Sequence, residues 1–148
     1  MKFQAITKDS KEFTRLLNLL KTQWAEAVEW FCDIEGGWKT EDLPQIVVAI
    51  QDGEIVGEYS LVRHELLKDN FGFTPWIGTL FVAEKYRGQG YSKKLLLNTF
   101  EKIQKMGFDE VFLATDLENF YEKFGFEFVK TGVFDWGKET KIYRKKLK

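Results

Sequence analysis

Apolar and polar residues follow two different periods along this chain, and the change from one period to the other marks its secondary structure. Short apolar runs and alternating segments predict strands, because successive side chains of a strand point to opposite faces. Asp52-Gly53, the preferred pair for a tight hairpin turn, separates two of these runs. The predicted strands span residues 3–6, 46–51, 55–62, 76–82, 110–114, 126–133 and 140–146.

Three other segments repeat apolar residues every three or four positions, which is the spacing of a helix. Asp9 with Glu12 forms a capping-box pattern at the start of the first, and Thr115 with Glu118 forms another at the start of the third. Gly125 is a typical stop signal for the third helix. The first helix is predicted over about 9–32, the second is predicted to end at Gly107, and the third is predicted over about 115–124.

The resulting order is β-α-β-β-β-α-β-α-β-β, with no linker, repeat or low-complexity segment. Antiparallel hairpins together with one parallel βαβ crossover predict a mixed sheet. We therefore expect an α+β fold, with a central, mostly antiparallel sheet flanked by helices. Its 148 residues are enough for one domain with a proper core, so residues 1–148 are predicted to form a single domain.

Composition narrows the classes of function. A net charge of −1 gives no electrostatic footprint for nucleic acid. No apolar run approaches the length of a membrane span, and the N-terminus lacks the apolar region of a signal peptide. Cys32 is the only cysteine, so no internal disulfide is expected, and without a His/Cys cluster no metal site is predicted. The cytoplasm is the expected compartment, with neither nucleic acid nor membrane as a partner.

The segment RGQGYSKKLLL, residues 87–97, joins the strand predicted at 76–82 to a helix. Gly88 and Gly90 remove side chains from the turn, so backbone N–H groups can converge on an anion. The following helix points the positive end of its dipole at the same place, which favours a phosphorylated ligand. The Gly-Lys-Ser/Thr ending of a nucleoside-triphosphate P-loop and the third glycine of a dinucleotide fingerprint are both missing. A plain connection, whose glycines serve only packing, is the alternative.

The longer segment LFVAEKYRGQGYSKKLL, residues 80–96, resembles the acetyl-CoA signature of the GNAT superfamily of N-acetyltransferases, written Q/R-x-x-G-x-G/A. Arg87, Gly90 and Ser92 fill its three fixed places, with Ser92 standing where Gly or Ala is usual. The segment NFYEKFGFEF, residues 119–128, is similar to the second hallmark of the superfamily, a tyrosine-bearing helix that ends in Gly-Phe. The resemblance extends over about residues 75–128 and implies the acyl-CoA N-acyltransferase fold.

The resemblance also implies how acetyl-CoA, the expected co-substrate, is bound. Backbone amides of residues 88–92 would hold the pyrophosphate, and the backbone edge of residues 80–82 would pair with the pantetheine arm. Arg87 either pairs with a phosphate or lies along the surface as a solvated cation. The implied cofactor-binding residues are Leu80, Phe81, Val82, Arg87, Gly88, Gln89, Gly90, Tyr91, Ser92 and Asn119.

Tyr121 is the candidate catalytic residue. A phenol with an ordinary pKa of about 10 stays protonated at neutral pH and can give its proton to a leaving thiolate. The resemblance assigns that role to Tyr121. Leu117, Phe120, Tyr121 and Phe124 also form an i, i+3, i+4, i+7 stripe, so packing in the core is the alternative for this tyrosine.

The general base is left open by the sequence. Many relatives in the superfamily carry a glutamate on the strand before the phosphate loop, but residues 76–81 include no carboxylate. Direct or water-mediated proton removal and an ordered water chain without a single base are both open. The candidate bases are Glu58, His64, Glu65 and Asp116.

We expect an N-acetyltransferase that moves the acetyl group of acetyl-CoA to a primary amine by direct attack in a ternary complex. The expected partner is a small-molecule or peptide amine, and a homodimer is left open. The main alternative is a non-catalytic acyl-CoA-binding sensor with the same fold, which the missing strand glutamate favours and Tyr121 disfavours. A nucleotide-binding regulator, for which ATP would compete as well as coenzyme A, is a third.

Overall fold

The computed structural model describes residues 1–147, and over that range the chain forms seven strands, three α-helices and two 3-10 turns. The strands are β1 Lys2–Ile6, β2 Gln45–Gln51, β3 Glu54–Val62, β4 Trp76–Val82, β5 Glu110–Thr115, β6 Glu127–Val133 and β7 Glu139–Lys146. The α-helices are α1 Lys11–Gln23, α2 Glu26–Cys32 and α3 Tyr91–Lys105, and the 3-10 turns are Glu84–Tyr86 and Tyr121–Phe124. All seven predicted strands are present, with bounds that differ from the prediction by one residue at most.

The seven strands form one mixed sheet in the order β1-β2-β3-β4-β5-β7-β6. β1 runs antiparallel to β2, and β7 runs antiparallel to both β5 and β6. β4 and β5 are parallel, with Trp76 opposite Phe112. At the predicted hairpin turn, Asp52 and Gly53 have φ angles of 52° and 77°, which are the left-handed values that such a turn requires. The expected α+β architecture is confirmed.

The chain divides into two compact units, of which the first comprises Met1–Ser60 and Thr79–Leu95. Its core is built from the inward faces of α1 and α2 and from strands that are buried on both sides. Trp38 is buried, and its indole Nε1 donates a hydrogen bond to the Phe31 carbonyl at 2.8 Å. The fully buried apolar side chains of this unit include Leu16, Leu20, Phe31, Ile46, Val48 and Val56.

The second unit comprises Leu61–Gly78 and the described residues from Leu96 onward. Its core is rich in aromatic rings: Phe73 and Phe112 stack with centroids 4.4 Å apart, and Trp76 lies 5.6 Å from Phe112. Trp76 has no exposed surface, so it packs in the core. Leu96 and Ile103, two of the residues that predicted the helix after the loop, are also fully buried.

The predicted first helix is two helices, and its N-cap is Ser10, one residue after the predicted Asp9. Ser10 is the N-cap, and its hydroxyl accepts a hydrogen bond from the backbone N–H of Phe13. Glu12 does not complete the capping box, because its carboxylate accepts from Gln4 Nε2 at 3.2 Å. Trp24 leaves the helical conformation after α1, and its indole stacks on Phe81. The apolar spacing continues across this short interruption, so periodicity could not reveal it.

The helix predicted over residues 115–124 is wrong in extent, because only the 3-10 turn Tyr121–Phe124 forms there. Thr115 does not cap a helix; its hydroxyl accepts from the backbone N–H of Leu117 in a local turn. Asn119 has a φ angle of 62°, and a left-handed residue at this point interrupts a right-handed helix. The predicted core stripe fails with it, since Leu117 is 55% exposed. Gly125, with φ 92°, ends the turn as predicted.

Candidate functional site

The loop after β4 has the strand-to-helix form that the sequence predicts. β4 ends at Val82, the 3-10 turn Glu84–Tyr86 follows, and α3 begins at Tyr91. Gly88 and Gly90 have φ angles of 74° and 82°, in the left-handed region that favours glycine. No atom lies within 4 Å of where a Cβ would stand at either glycine. The two glycines therefore shape the backbone and leave open space beside it, rather than serving tight packing.

The start of α3 has backbone donors without a side-chain cap. Gly90 directly precedes the helix and has no side-chain oxygen that could cap it. The backbone N–H of Lys94 donates to the Gly90 carbonyl at 3.4 Å. The N–H groups of Tyr91, Ser92 and Lys93 precede that bond and have no partner four residues earlier within the helix. Together with the helix dipole, they make a place where an anion is stabilised.

The side chains of Gln89 and Tyr91 form hydrogen bonds that hold the loop within the first unit. Gln89 Nε2 donates to the Lys85 carbonyl at 3.1 Å, which closes the loop on itself. The ring of Tyr91 is buried, and its hydroxyl accepts from Gln51 Nε2 at 3.1 Å. Of the predicted site residues, Tyr91 can therefore offer a ligand only its backbone.

Arg87 makes a contact that neither of its two predicted roles included. Its Nε donates to the carbonyl of Val82 at 2.8 Å, and its guanidinium lies 5.7 Å from the centroid of the Phe81 ring. The side chain is exposed but attached to the end of β4, so it is not freely solvated.

The backbone groups of β4 alternate between its two edges. The carbonyl of Phe81 faces Gly57 of β3, and the N–H of Ala83 donates to the Val56 carbonyl at 2.8 Å. Since neighbouring residues of a strand direct their backbone groups to opposite edges, those of Leu80 and Val82 point away from β3. Both residues are half-buried. This is the orientation that pairing with an extended ligand needs.

Glu58 is the most deeply buried of the four candidate bases. Its side chain lies fully buried on β3, and Oε2 accepts a hydrogen bond from the Thr79 hydroxyl at 2.9 Å. The Thr79 hydroxyl is also 2.6 Å from the hydroxyl of Ser60, which is buried as well. Burial raises the pKa of Glu58 to about 8, against the hydrogen bond from Thr79, which lowers it.

The three other candidate bases lie in the second unit. Burial raises the pKa of Glu65 to about 7, and the Glu65 carboxylate accepts from the backbone N–H of Leu66 at 2.9 Å. His64 is exposed in the loop after β3. Asp116 is exposed and pairs with Lys138 at 2.9 Å. Of these three, Glu65 is half-buried, whereas His64 and Asp116 are exposed.

Tyr121 and Asn119 also belong to the second unit. The ring of Tyr121 is half-buried and packs edge-on against Phe120 and Phe126, with centroids 4.9 Å and 5.6 Å away. Burial raises the pKa of Tyr121 to about 12, and no hydrogen bond to its hydroxyl forms within residues 1–147. The N–H of Asn119 donates to Glu122 Oε2 at 3.2 Å, and its side chain is exposed. Tyr121 is thus a protonated donor whose hydroxyl is not used internally.

Sequence reasoning missed Thr79 and Ser60, the two hydroxyls beside Glu58. A signal was present, because Glu58 and Ser60 are two residues apart in a mostly apolar strand and therefore share a face. Two polar positions on one buried face indicate a polar cluster, which the sequence analysis did not consider.

Neither a metal-binding cluster nor a membrane-spanning helix is present in the part of the chain that the structure describes. No group of three or more His, Cys, Asp or Glu side chains there is arranged to hold a metal ion. None of the described helices combines the length and apolar character that crossing a membrane requires.

Comparison with known sequences connects this chain to a protein family. The family model described as "Acetyltransferase (GNAT) domain" matches residues 42–128, which is more than half of the chain. N-alpha-acetyltransferase 30 of Saccharomyces cerevisiae (strain ATCC 204508 / S288c) is 41% identical over 56 residues. That alignment covers 34% of this chain and 32% of the yeast protein, so the match spans about a third of that relative.

Solved structures share the fold over its whole length. An aminoglycoside 6'-N-acetyltransferase complexed with coenzyme A superposes with a TM-score of 0.72 at 18% identity, covering 100% of this chain and 98% of the other. The aminoglycoside 6'-N-acetyltransferase from Enterococcus faecium gives 0.71 at 19% identity, with the same two coverages. A GNAT family acetyltransferase from Elizabethkingia anophelis with acetyl-CoA bound gives 0.68 at 16% identity, covering 98% of this chain and 97% of the other. At these identities the likeness concerns the fold alone.

Proposed function

This chain belongs to the acetyltransferase (GNAT) family, and from that premise we propose that it transfers the acetyl group of acetyl-CoA to a primary amine. The family resemblance in the sequence is thereby confirmed, and the protein is an acyltransferase. Acetyl-CoA as the donor is supported by relatives whose structures contain coenzyme A or acetyl-CoA. The amine as acceptor is supported by the names of relatives that are aminoglycoside and N-alpha acetyltransferases.

The observation that carries this proposal is the loop between β4 and α3. Gly88 and Gly90 adopt left-handed φ angles with open space beside them, and α3 starts without a side-chain cap. We assign the backbone N–H groups of residues 88–92 to the pyrophosphate of acetyl-CoA, since oriented N–H groups at a helix start stabilise phosphate. The guanidinium of Arg87 adds a cation next to them.

We assign the backbone of residues 80–82 to the pantetheine arm. The groups of Leu80 and Val82 point away from β3, so an extended amide chain can add to that edge like a further strand. The Val82 carbonyl already accepts from Arg87, which leaves Leu80 as the main backbone partner. Asn119 keeps its predicted role as a side-chain contact to the arm.

In the proposed reaction the neutral amine attacks the thioester carbonyl directly, in a complex with both substrates bound. The new C–N bond forms, the C–S bond breaks, and the thiolate leaves with the electron pair. Tyr121 gives its proton to that sulfur, the nitrogen releases one proton to solvent as the amide forms, and the tyrosinate takes a proton back from solvent. Since the pKa of Tyr121 is raised to about 12, the phenol is protonated at neutral pH, as a proton donor must be.

A non-catalytic acyl-CoA sensor is the second candidate. It is favoured by the absence of a carboxylate on β4 and by the ion pair of Asp116 with Lys138. It gives no reason for a half-buried tyrosine whose hydroxyl forms no hydrogen bond within residues 1–147, in the segment that carries the second family hallmark. We therefore place the enzyme first.

The test measures release of free coenzyme A thiol from acetyl-CoA with a panel of amines: an aminoglycoside, a polyamine, a peptide with a free N-terminus and a lysine-containing peptide blocked at its N-terminus. We expect release that depends on one of these amines and exceeds hydrolysis without amine. Calorimetry with coenzyme A runs in parallel. Binding without any amine-dependent release favours the sensor, and a protein that binds no coenzyme A overturns both readings.

A further inference from the structure

Glu58 is a buried carboxyl group that the fold alone does not require. Its side chain has no exposed surface, and among the described residues its Oε1 has no hydrogen-bond partner. Burying an ionisable group without full hydrogen bonding lowers stability, and an apolar residue of similar size would avoid that loss. A buried carboxyl group in this position therefore indicates a role in proton transfer.

The hydroxyls beside Glu58 form a directed chain. Thr79 has one hydroxyl proton and donates it to Glu58 Oε2 at 2.9 Å. When Glu58 is ionised, the hydrogen bond of 2.6 Å between Thr79 and Ser60 therefore has Ser60 as its donor. Glu58 and Ser60 have no exposed surface, whereas Thr79 retains 8%. Thr79 is the member through which a proton from outside the cluster can reach the carboxylate.

Few other charges face this cluster within the first unit. β2 and β4, the strands on either side of β3, contain no ionisable side chain. On the inward face of α1 the ionisable group is Glu12, which accepts from Gln4. Burial therefore dominates the proton affinity of Glu58, and its pKa of about 8 lies close to neutral pH. A carboxyl of that kind can both take up and release a proton under working conditions.

The cluster also lies beside the backbone that we assign to acetyl-CoA. Thr79 directly precedes Leu80 on β4, and their side chains point to opposite faces of the strand. Phe81, which shares the Thr79 face, is covered by the indole of Trp24. The hydroxyl of Thr79 is thus one residue away from the proposed partner of the pantetheine arm.

We propose that Glu58 accepts, through the hydroxyl of Thr79, the proton that the acceptor amine must lose. This inference rests on the proposed acetyl transfer. The ammonium N–H proton passes to Thr79 Oγ1 while the Thr79 hydroxyl proton passes to Glu58 Oε2. The amine nitrogen keeps the electron pair with which it attacks the thioester. Glu58 becomes a neutral acid, and it returns the proton to solvent along the same path after the product leaves. Ser60 holds the Thr79 hydroxyl in the orientation that this transfer needs.

The experiment compares Glu58→Gln, Thr79→Val and Thr79→Ser with the wild type by thiol release, using an amine that the wild type acetylates. Glu58→Gln and Thr79→Val each lower kcat/KM for the amine by about 10²–10⁴-fold, the usual contribution of a general base. Thr79→Ser keeps the hydroxyl and restores most of the rate. In the wild type kcat/KM rises with pH towards about 8, and this rise is absent in Glu58→Gln. The double variant Glu58→Gln with Thr79→Val has a kcat/KM for the amine no lower than that of either single variant.

The matched control is Glu12→Gln, which neutralises another buried glutamate of the same unit and keeps the wild-type pH profile. The inference would be overturned if Glu58→Gln and Thr79→Val both kept the wild-type rate and the wild-type increase of kcat/KM with pH. The proposed function would then remain intact. A wild-type protein that acetylates no amine contradicts the proposed function instead. If Glu58→Gln does not fold, the Thr79→Val and Thr79→Ser pair decides, because equal rates in those two variants overturn the proton path.

Discussion

The carbonyl oxygen of Val82 accepts a hydrogen bond from Nε of Arg87 at 2.8 Å, which ties the last residue of β4 to the first residue of the phosphate loop. The same guanidinium lies over the ring of Phe81. The side chain of Arg87 is thereby attached to the end of β4, although Arg87 is five residues beyond the strand end. A planar guanidinium can make this backbone bond and still meet a phosphate, which an ammonium cannot do in the same way.

Replacing Arg87 by Ala is expected to raise the KM for acetyl-CoA about tenfold without changing kcat, since a charge-assisted hydrogen bond contributes about 1.5–3 kcal/mol. Arg87→Lys should recover little, because lysine cannot make both contacts. Steady-state thiol release at varied acetyl-CoA provides the measurement. Lys85→Ala is the control: it removes a nearby cation that pairs with Glu54, and it should leave KM unchanged. A lower kcat with unchanged KM would contradict the assignment of Arg87 to phosphate.

Gly90→Ala and Gly53→Ala form a matched pair, because both glycines have left-handed φ angles, 82° and 77°, and open space beside them. Each change is expected to lower the free energy of unfolding by about 1–2 kcal/mol, the cost of the left-handed conformation for alanine. Only Gly90→Ala should weaken coenzyme A binding, since Gly53 lies in the β2–β3 turn. Denaturant unfolding and calorimetry separate the two effects. Equal coenzyme A affinities in both variants would argue against a phosphate site at residues 88–92.

Tyr121→Phe is expected to lower kcat about 10²-fold or more while the affinity for coenzyme A stays unchanged. The midpoint of thermal unfolding should not fall, because no hydrogen bond to the hydroxyl forms within residues 1–147 and the ring contacts remain. Tyr143→Phe is the control, as this second tyrosine of the same unit is buried against Phe128. A Tyr121→Phe variant that unfolds more easily and keeps its turnover would make the tyrosine structural.

The buried carboxyl of Glu58 should make the protein less stable as pH rises. Its folded pKa of about 8 lies above the ordinary value of 4.5, so the folded state binds the proton more tightly than the unfolded state does. The resulting stabilisation is fully present below pH 4.5 and is lost as pH rises through about 8; over that window it is on the order of 4 kcal/mol. Glu65, with a pKa raised to about 7, acts in the same direction.

Urea unfolding at several pH values between 5 and 8 measures this loss of stability. Glu58→Gln has no proton to lose, so its free energy of unfolding should depend on pH less steeply than that of the wild type. Glu12→Gln should keep the wild-type slope. Parallel pH profiles for the wild type and Glu58→Gln would show that the carboxyl is not held neutral by the fold.

The strands were predictable because the burial of one strand face produces a regular spacing of apolar residues in the sequence. Each strand has an apolar side that must face the core, so period-two segments and the Asp52-Gly53 turn fix the bounds closely. The first and last residues of the helices were harder to predict. Helical spacing persists across the break after Gln23, because α1 and α2 both bury apolar residues. The left-handed conformation of Asn119 could not be anticipated, since it depends on contacts such as the hydrogen bond to Glu122.

The candidate site was predictable to the extent that it depends on the backbone. Gly88 and Gly90 signal their φ angles by their lack of a side chain, and the helix start follows from the spacing of the residues after them. Side-chain partners across strands have no such signature. Contacts such as Thr79 with Glu58, 21 residues apart, depend on which strands pair and in which register. The proton path that we propose therefore emerged only from the structure.

Gly57 provides the most direct test of the arrangement of β3 and β4. A Cβ at this position would overlap the carbonyl oxygen of Phe81 and would also press on Leu95, so Gly57→Ala must push the end of β4 away from β3. The backbone at Phe81 cannot move aside as easily as a flexible side chain. We therefore expect this overpacking to lower the free energy of unfolding by about 1–3 kcal/mol. Because residues 80–82 are assigned to the pantetheine arm, the variant should also bind coenzyme A more weakly. Gly53→Ala again serves as control, since it should match the loss of stability and retain the affinity. A Gly57→Ala protein with full coenzyme A affinity would mean that the end of β4 does not determine how the donor is held.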